Sequence, residues 1–178
     1  SALLYNTSGL TNLKLKQYNT AIKDFTQALA IQNENILALT KRGEAKALNK
    51  DYNDAIVDFK KAIVLKGFKP IPDSLFDYHS RQVELYSDPL LFDIVYLRGK
   101  AYYDIFELYL AYDDFNLCIE ASLNASIDSK FDKIPECYYW RGHTFNRMNE
   151  TKRACLDLQI AAESGITQAV QDLEDICK

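Results

Sequence analysis

The residues that could perform catalysis or bind a metal are few in this sequence of 178 residues, and they lie far apart. His79 and His143 are its two histidines, so a metal centre or a catalytic triad would need its other members from distant segments. The cysteines are separated by 19, 18 and 22 positions, unlike the short CxxC spacing of zinc and redox motifs. The sequence also has no Gly-rich phosphate loop and no nucleophile elbow. We therefore expect no catalytic residues, no metal and no cofactor.

The four cysteines raise the separate question of disulfide formation. Cys118 occupies a small-residue position of a helical pattern and is expected in the core. Cys155 and Cys177 could meet if the C-terminal segment packs against the segment before it. We nevertheless expect free thiols in a reducing compartment, and hence a soluble, cytoplasmic protein. Export stays open as an alternative if a leader segment has been removed.

Composition and charge narrow the class of protein. Hydrophobic residues make up 48% of the chain, enough for a sizeable core, but no run of about 18 apolar residues could span a membrane. The net charge of −4, from 21 basic and 25 acidic residues, argues against nucleic-acid binding. Six Gly and four Pro are few for a sheet protein rich in tight turns. These observations favour one soluble domain without a membrane span or a nucleic-acid partner.

An internal repeat explains the spacing of most of the glycines. Gly9 and Gly43 are 34 residues apart, and the segments around them align without a gap. Gly99 and Gly142 begin two further copies of the same pattern. In all four copies the glycine is followed by Ala at +12, Asp at +15, a large apolar residue at +16 and a small residue at +19. Four matches in one chain predict a repeat protein.

Each copy has the periodicity of two helices. A glycine within the first helix costs about 1 kcal/mol relative to alanine, which a close crossing with the second helix would explain. Asn19 and Asn53 are predicted to cap the second helices of the first two copies. In the first copy the apolar stripe of the second helix consists of Ala21, Ile22, Phe25, Ala28 and Leu29.

The whole pattern resembles the tetratricopeptide repeat, whose 34-residue unit carries Trp-x2-Leu-Gly-x2-Tyr, then Ala-x3-Phe, then Pro. The tryptophan and the terminal proline of that motif are absent from every copy here. The resemblance implies an all-α fold: one right-handed superhelical solenoid over 1–178, built from antiparallel helix pairs, with nine or ten helices. Its predicted parts are repeats at 2–35, 36–69, 92–125 and 135–168, an insertion at 70–91 and a capping helix at 167–178.

One set of charged residues is specific to this chain. An arginine precedes the glycine in repeats two to four, whereas repeat one has Ser8. This distribution favours pairing of each arginine with the aspartate of the preceding repeat, and pairing within one repeat is the alternative. Either arrangement would be structural and would fix the register between helices. The favoured pairs are Arg42 with Asp24, Arg98 with Asp58, and Arg141 with Asp114.

The resemblance also implies a function, which is to bind a peptide or a helix of a partner protein in the concave groove lined by the first helices. Aromatic side chains beside cationic groups suit such a site. The alternative is that several of these aromatics pack against the 70–91 insertion. The Lys, Asn and Arg clamp with which some relatives hold chaperone tails is not reproduced. The predicted groove residues are Asn6, Lys41, Glu44, Tyr96, Lys100, Tyr103, Tyr139, Trp140, His143 and Arg147.

Charge is divided unevenly along the chain. Residues 1–69 contain 11 basic and 6 acidic side chains, for a net +5, and residues 70–178 contain 10 and 19, for −9. Opposite charges could support head-to-tail association between copies. The alternative function is therefore a self-assembly module, a homo-oligomer formed through the insertion or the charged ends. A solvated surface with no partner explains the asymmetry equally well.

Overall fold

The computed structural model describes residues 1–67, 88–124 and 133–178. Within these ranges the chain forms nine helices and no strand, which confirms the predicted all-α class. The insertion at 70–91 lies outside the described residues except for its last four positions, and His79 lies outside them too. The helices are α1 (Ala2–Lys14), α2 (Tyr18–Ile31), α3 (Ile36–Leu48), α4 (Tyr52–Leu65), α5 (Pro89–Asp104), α6 (Leu108–Asn124), α7 (Ile134–Arg147), α8 (Thr151–Glu163) and α9 (Thr167–Ile176).

The chain divides into two compact units, Ser1–Ser74 and Leu75–Lys178. In unit 1, α1 packs on α2, α2 on α3, and α3 on α4. In unit 2, each helix from α5 to α8 packs on the next one in the chain. This succession of neighbouring contacts is typical of stacked helix pairs.

The glycines of repeats one to three lie where a phenylalanine ring fills the space between two helices. A Cβ atom on Gly9 would lie 2.7 Å from Cε1 of Phe25, and a Cβ atom on Gly43 would lie 2.7 Å from Cε1 of Phe59. Both rings are fully buried. The large apolar residue at +16 is therefore what excludes a side chain at the glycine, since a real Cβ atom essentially never approaches a neighbour this closely.

The second helices begin one residue before the predicted asparagine caps. Helices α2 and α4 start at Tyr18 and Tyr52, so Asn19 and Asn53 lie inside them and the capping prediction is wrong. The reason is the preceding turn, where Lys16 and the equivalent Lys50 adopt left-handed φ angles of 58° and 69°. Backbone hydrogen bonds close this turn, and the residues before α2 and α4 make no side-chain cap.

Helix α5 begins earlier than the predicted third repeat. Its first residue is Pro89, three positions before the expected boundary at 92. The Asp88 carboxylate accepts hydrogen bonds from the backbone N–H groups of Leu90 and Leu91 at 3.0 and 3.2 Å. A proline at the first position loses no helical hydrogen bond, so Asp88 and Pro89 together start the helix.

Helix α9 packs against α8 and buries apolar residues of that helix. Leu158 and Ala161 of α8 and Ala169 of α9 are buried together, and Ile166, Leu173 and Ile176 pack against them, as do Tyr138 and Tyr139 of α7. The helix ends at Ile176, so the observed element is two residues shorter than the predicted segment 167–178.

Candidate functional site

Arginine–aspartate forks join the two helices within a repeat rather than neighbouring repeats. The favoured prediction of pairing with the preceding repeat is wrong, and the alternative within one repeat is the observed arrangement. Each arginine donates from Nε and Nη2 to the two oxygens of an aspartate 16 residues later. The pairs are Arg42 with Asp58 (2.8 and 2.6 Å), Arg98 with Asp114 (2.9 and 2.6 Å) and Arg141 with Asp157 (2.7 and 2.8 Å).

The close approach of the two helices at the glycine explains this choice. The arginine stands one position before the glycine, so the crossing brings its guanidinium directly beside the aspartate of the partner helix. Repeat one has Ser8 at the arginine position, and there Asp24 accepts hydrogen bonds from Ser8 at 2.7 Å and from Asn12 at 2.8 Å. Asp24 is therefore satisfied without an arginine.

Two of the arginines also reach the preceding repeat, through a different residue from the one predicted. Arg42 Nη1 donates to Thr26 Oγ1 at 3.2 Å, and Arg141 Nη1 donates to Asn116 Oδ1 at 2.6 Å. Thr26 and Asn116 occupy the same repeat position, 17 residues after the repeat glycine. The arginines thus link neighbouring repeats through this position.

Cys155 and Cys177 form a disulfide, with their Cα atoms 5.8 Å apart. The expectation of free thiols is wrong for this pair, because α9 packs on α8 and brings the residue after its last turn beside Cys155. Cys118 and Cys137 are free thiols, and both are buried. Burial raises the pKa of the Cys118 thiol well above its ordinary value, which keeps it protonated and unreactive.

The predicted groove residues of α5 and α7 come together in unit 2. Tyr103 of α5 lies edge-to-face against Trp140 of α7, with ring centroids 5.3 Å apart. Tyr139 contacts Trp140 at 5.4 Å and His143 at 4.6 Å in the same manner. Tyr96 and Tyr103 are more than nine-tenths buried, whereas Tyr139, Trp140 and His143 are partly exposed. We call Tyr96, Tyr103, Tyr139, Trp140 and His143 the aromatic cluster.

Three cations lie over rings of the aromatic cluster: Lys100, Arg147 and Lys133, whose ammonium lies 5.6 Å from the ring centre of Tyr96. The Lys100 ammonium lies 4.9 Å from the ring centre of Trp140 and 5.8 Å from that of Tyr96. The Arg147 guanidinium lies 3.6 Å from the ring centre of Tyr103, and its Nη1 donates to the Tyr103 carbonyl oxygen at 2.7 Å. Arg147 also lies 4.4 Å from the ring centre of Phe106, an exposed side chain in the α5–α6 turn. The cluster therefore offers aromatic surface with positive charge at its edge.

Helix α9 supplies an acidic residue to the cluster that the sequence prediction missed. Asp172 accepts a hydrogen bond from His143 Nε2 at 2.8 Å, and Tyr139 packs against the apolar contact between α8 and α9. Burial acts to raise the pKa of Asp172, but hydrogen bonds from Tyr139, His143 and Gln168 outweigh it and hold the pKa below its ordinary value. Burial together with Asp172 raises the pKa of Tyr139 to about 12. The sequence did contain a signal for this contact, because α9 follows repeat four at the place where the first helix of another repeat would stand.

The groove residues predicted in the first two repeats lie in unit 1. Asn6 of α1 is buried, and its Oδ1 has no hydrogen-bond partner among the described residues. Lys41 and Glu44 of α3 form an ion pair with each other at 2.8 Å. Unlike the residues of unit 2, these three side chains form no aromatic surface.

Known proteins match this chain through its repeats. The family model of the tetratricopeptide repeat matches residues 2–35. A crystal structure of MamA protein superposes with a TM-score of 0.67 at 22% identity, covering 94% of this chain and 76% of that one. The Sgt2 TPR domain from Aspergillus fumigatus gives a TM-score of 0.59 at 21% identity, covering 85% and 82%. The chain has the tetratricopeptide-repeat fold. No curated protein matches the sequence.

Within the tetratricopeptide-repeat fold, α5 and α7 are first helices of their helix pairs, and they carry the aromatic cluster. In the part of the chain that the structure describes, no helix is long and apolar enough to cross a membrane. The same residues contain no group of three His, Cys, Asp or Glu side chains that could hold a metal ion. The aromatic cluster is therefore the strongest candidate for a functional surface in the described residues.

Proposed function

We propose that this protein is a non-catalytic interaction scaffold that binds an extended peptide or a helix of a partner protein on the aromatic cluster of unit 2. The observation that carries the proposal is the set of partly exposed rings on α7, with Lys100 stacked over Trp140 and Arg147 stacked over the neighbouring Tyr103 of α5. Tetratricopeptide-repeat proteins use the extended surfaces created by stacked helix pairs for binding.

The chemistry of the cluster suits a peptide chain. Trp140 and Tyr139 offer rigid apolar area that loses little conformational entropy on binding. Their orientation is set in advance by edge-to-face contacts with each other and with His143. Arg147 is held between Tyr103 and Phe106, so its outward N–H groups are positioned to donate to carbonyl or carboxylate oxygens of the partner.

A catalytic role is not supported by the same geometry. His143 and Asp172 form a pair that could orient a general base, but a triad also needs a nucleophile within hydrogen-bond reach of the histidine. Among the described residues, no hydrogen bond joins His143 to a hydroxyl or a thiol of Ser, Thr or Cys. The pair therefore orients the aromatic rings instead.

The test is a selection from a displayed library of random peptides on the oxidised protein, followed by measurement of the dissociation constant of the selected peptide by calorimetry. Trp140 is the only tryptophan of the chain, so its fluorescence reports directly on binding to the cluster. We expect Trp140→Ala to weaken binding at least tenfold, as truncation of an aromatic anchor does. Tyr109→Ala is the matched control, because Tyr109 is 76% exposed and lies outside the cluster. Equal binding by Trp140→Ala and the wild type would refute the proposed site.

A further inference from the structure

Helix α9 contributes the carboxylate that orients part of the aromatic cluster. Asp172 holds the His143 ring at 2.8 Å through one oxygen, and Tyr139 packs against the apolar contact that Ala169 of α9 makes with α8. Gln168, one turn earlier on α9, donates to the other Asp172 oxygen at 3.3 Å. The positions of the His143 and Tyr139 rings therefore depend on whether α9 stays docked.

Helix α9 docks through a small apolar contact and one covalent bond. Ala169 is its single fully buried residue, and Leu173 packs beside it, whereas Val170 is 51% exposed. A helix of 10 residues is marginal in water by itself, so its order depends on docking. The Cys155–Cys177 disulfide ties the residue that follows α9 to α8.

We propose that the Cys155–Cys177 disulfide is a redox lock on the aromatic cluster, which keeps Asp172 against His143 and Tyr139 when oxidised and releases α9 when reduced. The proposal rests on the proposed function, because the affinity that changes is that of the cluster for its partner. It adds α9 to the binding surface as a positioning element, and it makes the order of that element depend on a covalent bond.

The chemistry of the lock is a thiol–disulfide exchange with a dithiol. The dithiol supplies two electrons and two protons, the bond between the two Sγ atoms breaks, Cys155 and Cys177 become thiols, and the dithiol becomes a disulfide. Both cysteines are partly exposed, so a reductant can reach them. The other two cysteines are fully buried thiols, so the exchange is specific to this pair.

The first experiment measures hydrogen exchange of the α9 amides by mass spectrometry, with and without dithiothreitol. The disulfide closes a loop with a sequence separation of 22 residues, so its loss raises the population of undocked α9 by about tenfold or more. The double variant Cys155→Ser/Cys177→Ser should exchange like the reduced wild type and should not respond to dithiothreitol. Unchanged exchange of α9 on reduction of the wild type would overturn the proposal.

The second experiment tests whether undocking of α9 changes the arrangement of the aromatic cluster. Reduction should change the fluorescence of Trp140, which contacts Tyr139 and His143. It should also raise the dissociation constant of the selected peptide severalfold. Asp172→Asn in the oxidised protein should weaken binding of the same peptide, while the disulfide keeps α9 better protected from exchange than it is in the reduced wild type. Asp175→Asn, an exposed change on the same helix, is the control.

The outcomes separate this proposal from the proposed function. Faster exchange of α9 with unchanged Trp140 fluorescence and peptide affinity would show that α9 is not part of the surface and would overturn the lock. Failure to select any peptide would refute the proposed function. Exchange and fluorescence would still test the lock in that case, because neither needs a partner.

Discussion

Replacement of Gly43 by alanine tests whether the repeat glycine exists for steric reasons. The new Cβ atom would lie 2.7 Å from Cε1 of Phe59, about 1 Å inside ordinary van der Waals contact. The ring is fully buried, so it cannot move aside into solvent. Alanine gains about 1 kcal/mol of helix propensity over glycine, whereas overpacking a core costs about 1 to 3 kcal/mol. We expect a net loss of about 1 kcal/mol in the free energy of unfolding of unit 1.

A double-mutant cycle isolates the steric clash. Phe59→Leu alone creates a cavity and should destabilise unit 1, but Gly43→Ala/Phe59→Leu should lose less than the sum of the two single changes, because the added methyl group enters the vacated space. Repeat four already pairs its glycine with a leucine, Leu158, whose Cγ atom would lie 3.0 Å from a Cβ on Gly142. Urea unfolding followed by far-UV circular dichroism gives the energies, and hydrogen exchange locates the change in α3 and α4. A Gly43→Ala variant that is more stable than the wild type would refute the steric explanation.

Three further predictions follow from the charges of the molecule. Arg98→Ala removes both hydrogen bonds of a buried fork and should lower the free energy of unfolding in urea by about 3 kcal/mol. Arg42→Ala should cost less, because Lys46 Nζ also lies 2.9 Å from the Asp58 carboxylate that Arg42 contacts. Equal losses in the two variants would contradict this expectation. The pKa of Asp172 is lower in the folded protein than its ordinary value of 3.8, so its contribution to α9 docking is complete above that value and is lost as the pH falls through the folded pKa. Hydrogen exchange of α9 between pH 6 and 3 should show this loss, and Asp172→Asn should reduce it. If the opposite charges of the two halves support self-association, sedimentation velocity should show larger species at low salt than at high salt, and a monomer in both would exclude the self-assembly alternative.

The repeat architecture could be predicted because its signals are local in sequence. Gly9 and Gly43, each with Ala at +12 and Phe at +16, recur at a fixed spacing. Apolar residues that recur at the helical period lie on one face of a helix, so this spacing indicates helices that pack together. The structure assigns a specific cause to that spacing, since the residue at +16 fills the space at the glycine. The helix starts were less predictable, because the backbone of the turn at Lys16 and Lys50 replaces the expected asparagine caps.

The aromatic cluster could be predicted in its members but not in its arrangement. Tyr103, Trp140 and Arg147 were identified by their repeat positions, which determine the helix face on which each side chain lies. The sequence did not reveal that Arg147 stacks between Tyr103 and Phe106. Nor did it reveal Asp172, because that contact joins residues 29 positions apart on different helices.

The sequence by itself determined the helix pairs, their order and the positions of the close crossings, because each depends on residue type at short, regular separations. The tertiary structure alone decided which aspartate each arginine contacts, that Cys155 and Cys177 are joined, and that α9 supplies a carboxylate to the aromatic cluster. The physical reason is that these contacts join residues that are far apart in the sequence. Hydrogen bonds and disulfides depend on differences of about 1 Å between atoms far apart in the chain, and only the packing of one helix on another sets those distances.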